Sequence, residues 1–257
     1  MTHKTLHYCW FGKNPLPELV QKCIESWKKF CPGYEIKEWN EDNFDVHCCR
    51  YVEEAYNAQK WAFVSDYCRF FVLHNEGGVY LDTDVELLKP LDDLPDTFVG
   101  FENPDTVASG LIRAACKGDE ICKRMLDSYN ADAFLLEDGS LNLQTVGIRE
   151  TAIFKELGLQ LDDTLQTVCG TTVYPREYFC PKSFIGEEIT LTDNTYSIHH
   201  YSASWHTPEE EYAHKLKKKF RKLPKKTAGR LANFFAMCKY RGFFKALKRT
   251  FGKMKKK

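Results

Sequence analysis

Asp82 and Asp84 stand two residues apart where the apolar run Val79-Tyr80-Leu81 gives out. Two carboxylates so spaced at the end of a strand can converge on one divalent cation. Each offers a hard oxygen of the kind Mg²⁺ or Mn²⁺ takes, and the pair leaves most of an octahedral shell free for diphosphate oxygens. A cation held there neutralises charge on a departing nucleotide. A bare D-x-D also occurs in acidic loops, where it is a solvated turn. The surroundings narrow the choice, because Gly77-Gly78 comes just before, and upstream Asp66 and Arg69 lie three residues apart on an apolar helical stretch. That spacing places them on one helical face. At a surface they form a weak ion pair; turned inward, they face the same site as the aspartates.

The elements that position these residues follow from periodicity. Thr5 to Phe11 reads as a first strand, closed by Gly12, Pro15 and Pro17. Leu19, Val20, Cys23, Ile24, Trp27 and Phe30 recur at helical spacing over Pro17 to Phe30, and Pro32-Gly33 ends the pattern. Tyr34 to Trp39 alternates as a half-buried strand. Strand, helix and strand at these lengths open an α/β layer fold. A helix is predicted from about Ala58 to Asn75, capped at Gly77-Gly78, and then a buried strand from Val79 to Leu88 that delivers Asp82 and Asp84 to its C-terminal end. Further strands are expected near 98–101, 110–115, 167–168 and 172–174, and helices near 119–129 and 149–157.

The 257 residues, 43% of them hydrophobic, suffice for a full-sized globular core, which excludes a disordered or collagen-like chain. No run approaches the roughly 18 apolar residues of a spanning helix. The N-terminus lacks the charged-then-apolar pattern of a signal peptide, so a cytoplasmic protein is expected. The 11 cysteines are scattered without a C-x-x-C pair, as suits reduced, mostly buried thiols. The net charge of zero hides a segregation: Lys215 to Lys257 holds 18 Lys or Arg and no acidic residue, leaving 18 basic against 36 acidic residues before it. Two regions are therefore expected, a domain over 1–214 and a basic amphipathic helical tail over 215–257.

The string AFVSDYCRFFVLHNEGGVYLDTDVE, Ala62 to Glu86, resembles the core of glycosyltransferase family 32, the glycosyltransferases with a DXD-containing sugar-binding region. HYCWFG, His7 to Gly12, resembles the opening strand of that family, and HHYSASW, His199 to Trp205, its closing motif. In Leu143 to Thr151 the Thr-Gly-Pro turn of many relatives lacks its Pro. The resemblance implies a GT-A type, Rossmann-like nucleotide-sugar-binding fold with a mixed central sheet. It further implies metal-dependent, retaining transfer from a nucleotide sugar, a UDP-sugar by preference, to a glycan or lipid-linked acceptor in surface polysaccharide synthesis.

Residue by residue, the resemblance assigns Mn²⁺ or Mg²⁺ to Asp82, Asp84 and His200, with His199 facing the other way. It gives Asp66 and Arg69 the donor sugar, Asp82 also the ribose and sugar, Trp10 the nucleotide base, and Ser204 and Trp205 the diphosphate. A core aromatic at Trp10 and a structural His200 are the competing readings. VYLDTDV also fits a haloacid dehalogenase type phosphatase, with Asp82 as nucleophile, Asp84 as acid/base, and Lys155 and Asp162-Asp163 in the later motifs. An inactive membrane-bound adaptor is the non-catalytic alternative. In the tail, aromatic and aliphatic residues interleave with the cations, and Ala228 to Leu247 supports one apolar helical stripe. That pattern fits a helix lying on the anionic inner face of the cell membrane; docking on the acidic body and nucleic-acid binding compete with it.

Overall fold

The computed structural model describes residues 4–182, 189–202, 208–220 and 223–252. The chain divides into two compact units, Met1–Ser202 and Ala203–Lys257. The first contains, in chain order, β1 (Thr5–Cys9), α1 (Glu18–Phe30), β2 (Glu35–Trp39), α2 (Arg50–Asn57), α3 (Trp61–Glu76), β3 (Gly78–Tyr80), β4 (Val85–Leu87), β5 (Phe98–Asn103), β6 (Thr106–Val107) and β7 (Arg113–Ala115). There follow α4 (Glu120–Asn130), α5 (Val146–Glu156), β8 (Gln166–Val168), β9 (Thr171–Tyr174), α6 (Arg176–Phe179) and β10 (Ser197–His199).

The central sheet runs β2-β1-β3-β7-β5-β9-β8, with β6 added against β5. β1 is parallel to β2 and β3, and β5 to β9, whereas β7 is antiparallel to both of its neighbours. The sheet is thus mixed, as the GT-A expectation requires. Both faces are covered, so its strands are apolar on both sides. Leu6, Tyr8, Val79 and Phe98 pack with Val20, Cys23, Ile24 and Trp27 of α1. Cys9, Tyr80 and Val99 face the opposite layer, built from α2, α3, α4 and α5. Six of the cysteines, Cys9, Cys23, Cys31, Cys68, Cys122 and Cys180, are buried among these layers.

The expected strand from Val79 to Leu88 is two strands with a turn between them. β3 stays in the central sheet, the Val85 amide donates to the Asp82 carbonyl across the turn at 3.0 Å, and β4 pairs antiparallel with β10. The cause lies in α1, where the Trp27 indole donates to the Val85 carbonyl and the Ser26 hydroxyl accepts from Leu87 N–H. With their backbone groups so engaged, residues 85–87 cannot extend the main sheet. Asp82 and Asp84 therefore sit at a corner between two sheets. The entry to β3 is fixed as tightly: Gly77 and Gly78 have φ of +74° and +104°, and a Cβ on Gly78 would lie 2.8 Å from the Thr5 carbonyl oxygen and 2.9 Å from His7 Nε2. His7 is fully buried; the Trp39 indole donates to its Nδ1, which leaves its Nε2 as donor to the Gly77 carbonyl.

The second unit contains α7 (Pro208–Lys219), α8 (Lys225–Arg241) and α9 (Phe243–Gly252). The boundary expected at 214/215 falls inside α7. The single stripe expected over Ala228 to Leu247 is broken at Gly242, whose φ is +88°. Among the described residues no helix is long and apolar enough to cross a membrane.

Candidate functional site

The corner gathers five polar side chains from three segments of the chain. Asp66 and Arg69 come from the inner face of α3, Asp82 and Asp84 from the turn after β3, and His199 from the end of β10. Arg69 is 3% exposed and its Nη2 lies 2.7 Å from Asp66 Oδ1 and 3.2 Å from Asp82 Oδ1. The i, i+3 pair is therefore the inward-facing one. The Arg69 guanidinium also stacks over the Tyr80 ring, at 4.7 Å from its centroid, and Tyr80 OH donates to Asp82 Oδ1 at 3.0 Å. On the other side of the turn, Asp84 Oδ1 lies 3.1 Å from His199 Nε2, and Asp84 Oδ2 accepts the Ser202 amide at 2.7 Å.

Charge is distributed unevenly over these groups. Burial pushes the Asp66 carboxyl up to about 7, against the pull of Arg69 and with the charge of Asp82 adding to the rise. Burial likewise raises Asp82, opposed by Arg69 and His199. Asp84 goes the other way: burial works to raise it, but the His199 charge and the hydrogen bonds from His199 and Ser202 outweigh that and hold it well below the usual carboxylate range. In return Asp84 lifts His199 above an ordinary imidazole despite its burial.

The donor set suits a divalent cation. One ligand atom each of Asp82, Asp84 and His199 lies within 4.8 Å of the other two, giving two hard oxygens and one imidazole nitrogen. His199 would give up its proton on binding a cation, because coordination needs the ring's lone pair. Gly110 packs closely against this set. A Cβ on Gly110 would lie 2.5 Å from Asp82 Oδ2 and 3.1 Å from Arg69 Nη1, and that nitrogen is buried with no partner among the described residues. Gly110 thus lets one carboxylate oxygen and one unused N–H donor approach the backbone closely.

The expected residues are not all where the sequence put them. His199, rather than His200, joins the aspartates, while His200 Nε2 lies 2.8 Å from Glu86 Oε2. The reason is register: His199 pairs with Val85 across the ribbon, so the alternation of β10 turns His199 toward Asp84 and His200 away from it. Trp10 follows β1, whose C-terminal end lies beside that of parallel β3. Its half-buried ring borders a cavity of about 260 Å³ shared with Lys13, Asn14, Glu38, Asn40, Glu41 and Asp42, and its indole donates to the Asn14 carbonyl. In open α/β sheets ligands settle at such carboxyl ends. Ser204 and Trp205 lie outside the described residues. The residues enlisted for a phosphatase are elsewhere: Asp162 accepts from Thr164, Asp163 pairs with Arg176, and Lys155 lines a separate cavity against α5.

Sequence reasoning missed the support from α5. Glu150, fully buried, accepts the Ser109 amide at 2.8 Å and Arg113 Nη1 at 3.0 Å, and Arg113 reaches Asp119 at 3.2 Å. The Thr151 hydroxyl accepts from Val107 N–H. α5 thereby fastens the backbone of 107–109, the approach to Gly110. The one available signal was the unusual Leu143 to Thr151 segment.

Residues 17–99 match the family described as glycosyltransferase sugar-binding region containing DXD motif. The matched stretch holds Asp66, Arg69, Asp82 and Asp84. Over 102 residues the chain is 28% identical to inositol phosphoceramide mannosyltransferase 1 of Schizosaccharomyces pombe, a match covering 35% of this chain and 30% of that protein. The chain therefore spans about a third of the length of that relative. A solved structure titled PaToxG glycosyltransferase aligns over 60% of this chain and 70% of its own, with 21% identity and a TM-score of 0.48.

Proposed function

We propose that this chain, as the carrier of a DXD sugar-binding region, is a metal-dependent retaining glycosyltransferase that moves a hexose from a nucleotide sugar, by preference a UDP-sugar, to a glycan or lipid-linked acceptor. The observation that carries this is the corner itself. Asp82, Asp84 and His199 form one ligand set, and the Asp66–Arg69 pair is turned into the same space. A cation bound there, Mn²⁺ or Mg²⁺, would offset the charge that builds on the departing nucleotide diphosphate.

The chain's own residues supply orientation. Ser202 N–H holds Asp84 in place, and Tyr80 OH and Arg69 together fix one oxygen of Asp82, while the other packs against Gly110. The unpartnered Nη1 of Arg69 is the donor that a sugar hydroxyl or phosphate oxygen would accept from. Such prearranged donors cost no reorganisation as charge develops. Asp66 is bound to Arg69 and Glu150 to Ser109 and Arg113, so neither is a free carboxylate for attack on the anomeric carbon. The fitting course is departure and attack on one face: the bond from the anomeric carbon to the diphosphate breaks, the acceptor oxygen bonds to that carbon, and the leaving phosphate takes the hydroxyl proton.

The test is incubation of the full chain with UDP- and GDP-hexoses and Mn²⁺, following nucleotide release and the anomer of the released or transferred sugar by NMR. Release with retained configuration, lost in Asp84→Asn, is expected. Inverted sugar, or phosphate release from simple sugar phosphates without nucleotide release, would count against the reading.

A further inference from the structure

The second unit, taken by itself, leaves bulky apolar residues of a helix uncovered. Along α8, Ala228, Ala232 and Ala236 recur every four residues and are buried, at 6%, 0% and 1% exposure. On the adjoining stripe, three residues on from Ala228 and Ala232, Leu231 and Phe235 are 36% and 47% exposed. A helix that belonged only to a small bundle would centre its buried stripe on the leucine and phenylalanine rather than on the alanines. The outward face continues past Gly242, where Phe243 and Phe244 are 56% and 87% exposed.

These residues form one surface rather than scattered exposures. Phe220 packs on Phe235, Phe235 on Phe234, Phe234 on Phe243 and Phe243 on Phe244, with ring centroids 5.9 to 6.2 Å apart. Exposed Lys217, Lys219, Arg230, Lys239 and Lys245 accompany them on the same helices. From Lys215 onward the chain has 18 Lys or Arg and no acidic residue. Of the acidic residues that precede this run in α7, Glu209 is paired with Arg241 at 2.6 Å. A contiguous aromatic face among cations matches a lipid surface with anionic headgroups, where the rings enter the acyl boundary and the cations meet the phosphates. A second copy of the chain would bring like charges together. Nucleic acid would use the cations and could stack on Phe244, but it gives no cover to the exposed aliphatic Leu231, which a lipid surface does.

We propose that the α7–α9 unit is a peripheral anchor to anionic membrane, held by Phe235, Phe243, Phe244 and Leu231 together with the basic residues around them. The inference does not depend on the glycosyl transfer reading, since its test measures binding and not activity. The full chain is sedimented with vesicles of phosphatidylcholine alone and of phosphatidylcholine with a quarter phosphatidylglycerol, at low and raised salt. The same is done for Phe235→Ser/Phe243→Ser/Phe244→Ser, whose sites are solvent-exposed and whose helix content is checked by circular dichroism.

The expected result is sedimentation with the anionic vesicles, little with the neutral ones, and a loss of at least about tenfold in partitioning for the triple variant. Absence of binding to the anionic vesicles would overturn the proposal. So would vesicle binding equal in wild type and the folded triple variant, or binding to a single-stranded oligonucleotide tighter than to vesicles and unchanged by the substitutions, since the aromatic face would then do nothing.

Discussion

Two buried ion networks in the first unit are built from the same parts, one arginine between two carboxylates. In one, Arg113 joins Glu150 and Asp119; in the other, Arg69 joins Asp66 and Asp82. They differ in closure. Arg113 and Glu150 have no exposure, and both oxygens of Glu150 are taken by the protein. Asp82 is 29% exposed, Arg69 keeps one N–H donor without a partner among the described residues, and a further carboxylate, Asp84, lies two residues along. A closed network of charges supports a fold; one left partly exposed with a donor unused has capacity for a ligand. The two are joined through Ser109 and Gly110, so the closed network holds up the floor of the open one.

Substitution should separate the two roles, and the largest contrast lies in activity. Asp84→Asn is expected to lower nucleotide-sugar turnover by at least about 100-fold, since it removes charge stabilisation worth several kcal/mol. Its urea midpoint should fall by less than that of Glu150→Ala, because His199 can release its proton and the substituted side chain still accepts the Ser202 amide. Turnover and unfolding measured on one preparation would show both. Glu150→Ala should reverse the pattern: Arg113 is left as an uncompensated buried charge at a cost of about 3 to 5 kcal/mol, read as an early urea transition.

The open network should also reveal itself by pH. The Asp66 carboxyl is raised to about 7 in the folded chain, from an ordinary value of 3.8. The folded protein then binds the Asp66 proton more tightly than the unfolded chain does. Its contribution to stability is full below pH 4 and is lost as pH rises to about 7, by up to about 1.4 kcal/mol per pH unit. Stability of wild type relative to Asp66→Asn, followed by denaturant titration, should fall across that window and level off above it. The smallest expected effect is at the floor: Gly110→Ala puts a methyl against Asp82 Oδ2 and should weaken nucleotide binding about tenfold, or about 1.4 kcal/mol, with a shift of under about 2 kcal/mol in stability.

What was legible in advance follows the same division. Asp66, Arg69, Asp82 and Asp84 lie within nineteen positions on one helix–turn unit, and local spacing sufficed to bring them together. The α/β layers were equally visible, because β1, α1 and β2 each carry their own periodicity. The break after Tyr80 was hidden, since it depends on Trp27 and Ser26, which are more than fifty residues away in sequence. His199 and His200 show the limit most clearly. Strand alternation says that one of the two faces the site, but only the pairing of His199 with Val85 says which. Glu150 left no mark beyond the unusual Leu143 to Thr151 segment that contains it, because a glutamate in the second turn of a helix looks solvent-facing until Ser109 and Arg113 are folded against it.

The central claim is that the open corner is a cation-dependent nucleotide site, and calorimetric titration tests it most directly. UDP and GDP would be titrated into wild type and Asp84→Asn, each with Mn²⁺ and with chelator. Binding of one nucleotide that requires both Mn²⁺ and Asp84 is the expected result. Binding that survives chelator and the substitution, or no binding of either nucleotide to the folded wild type, would contradict it.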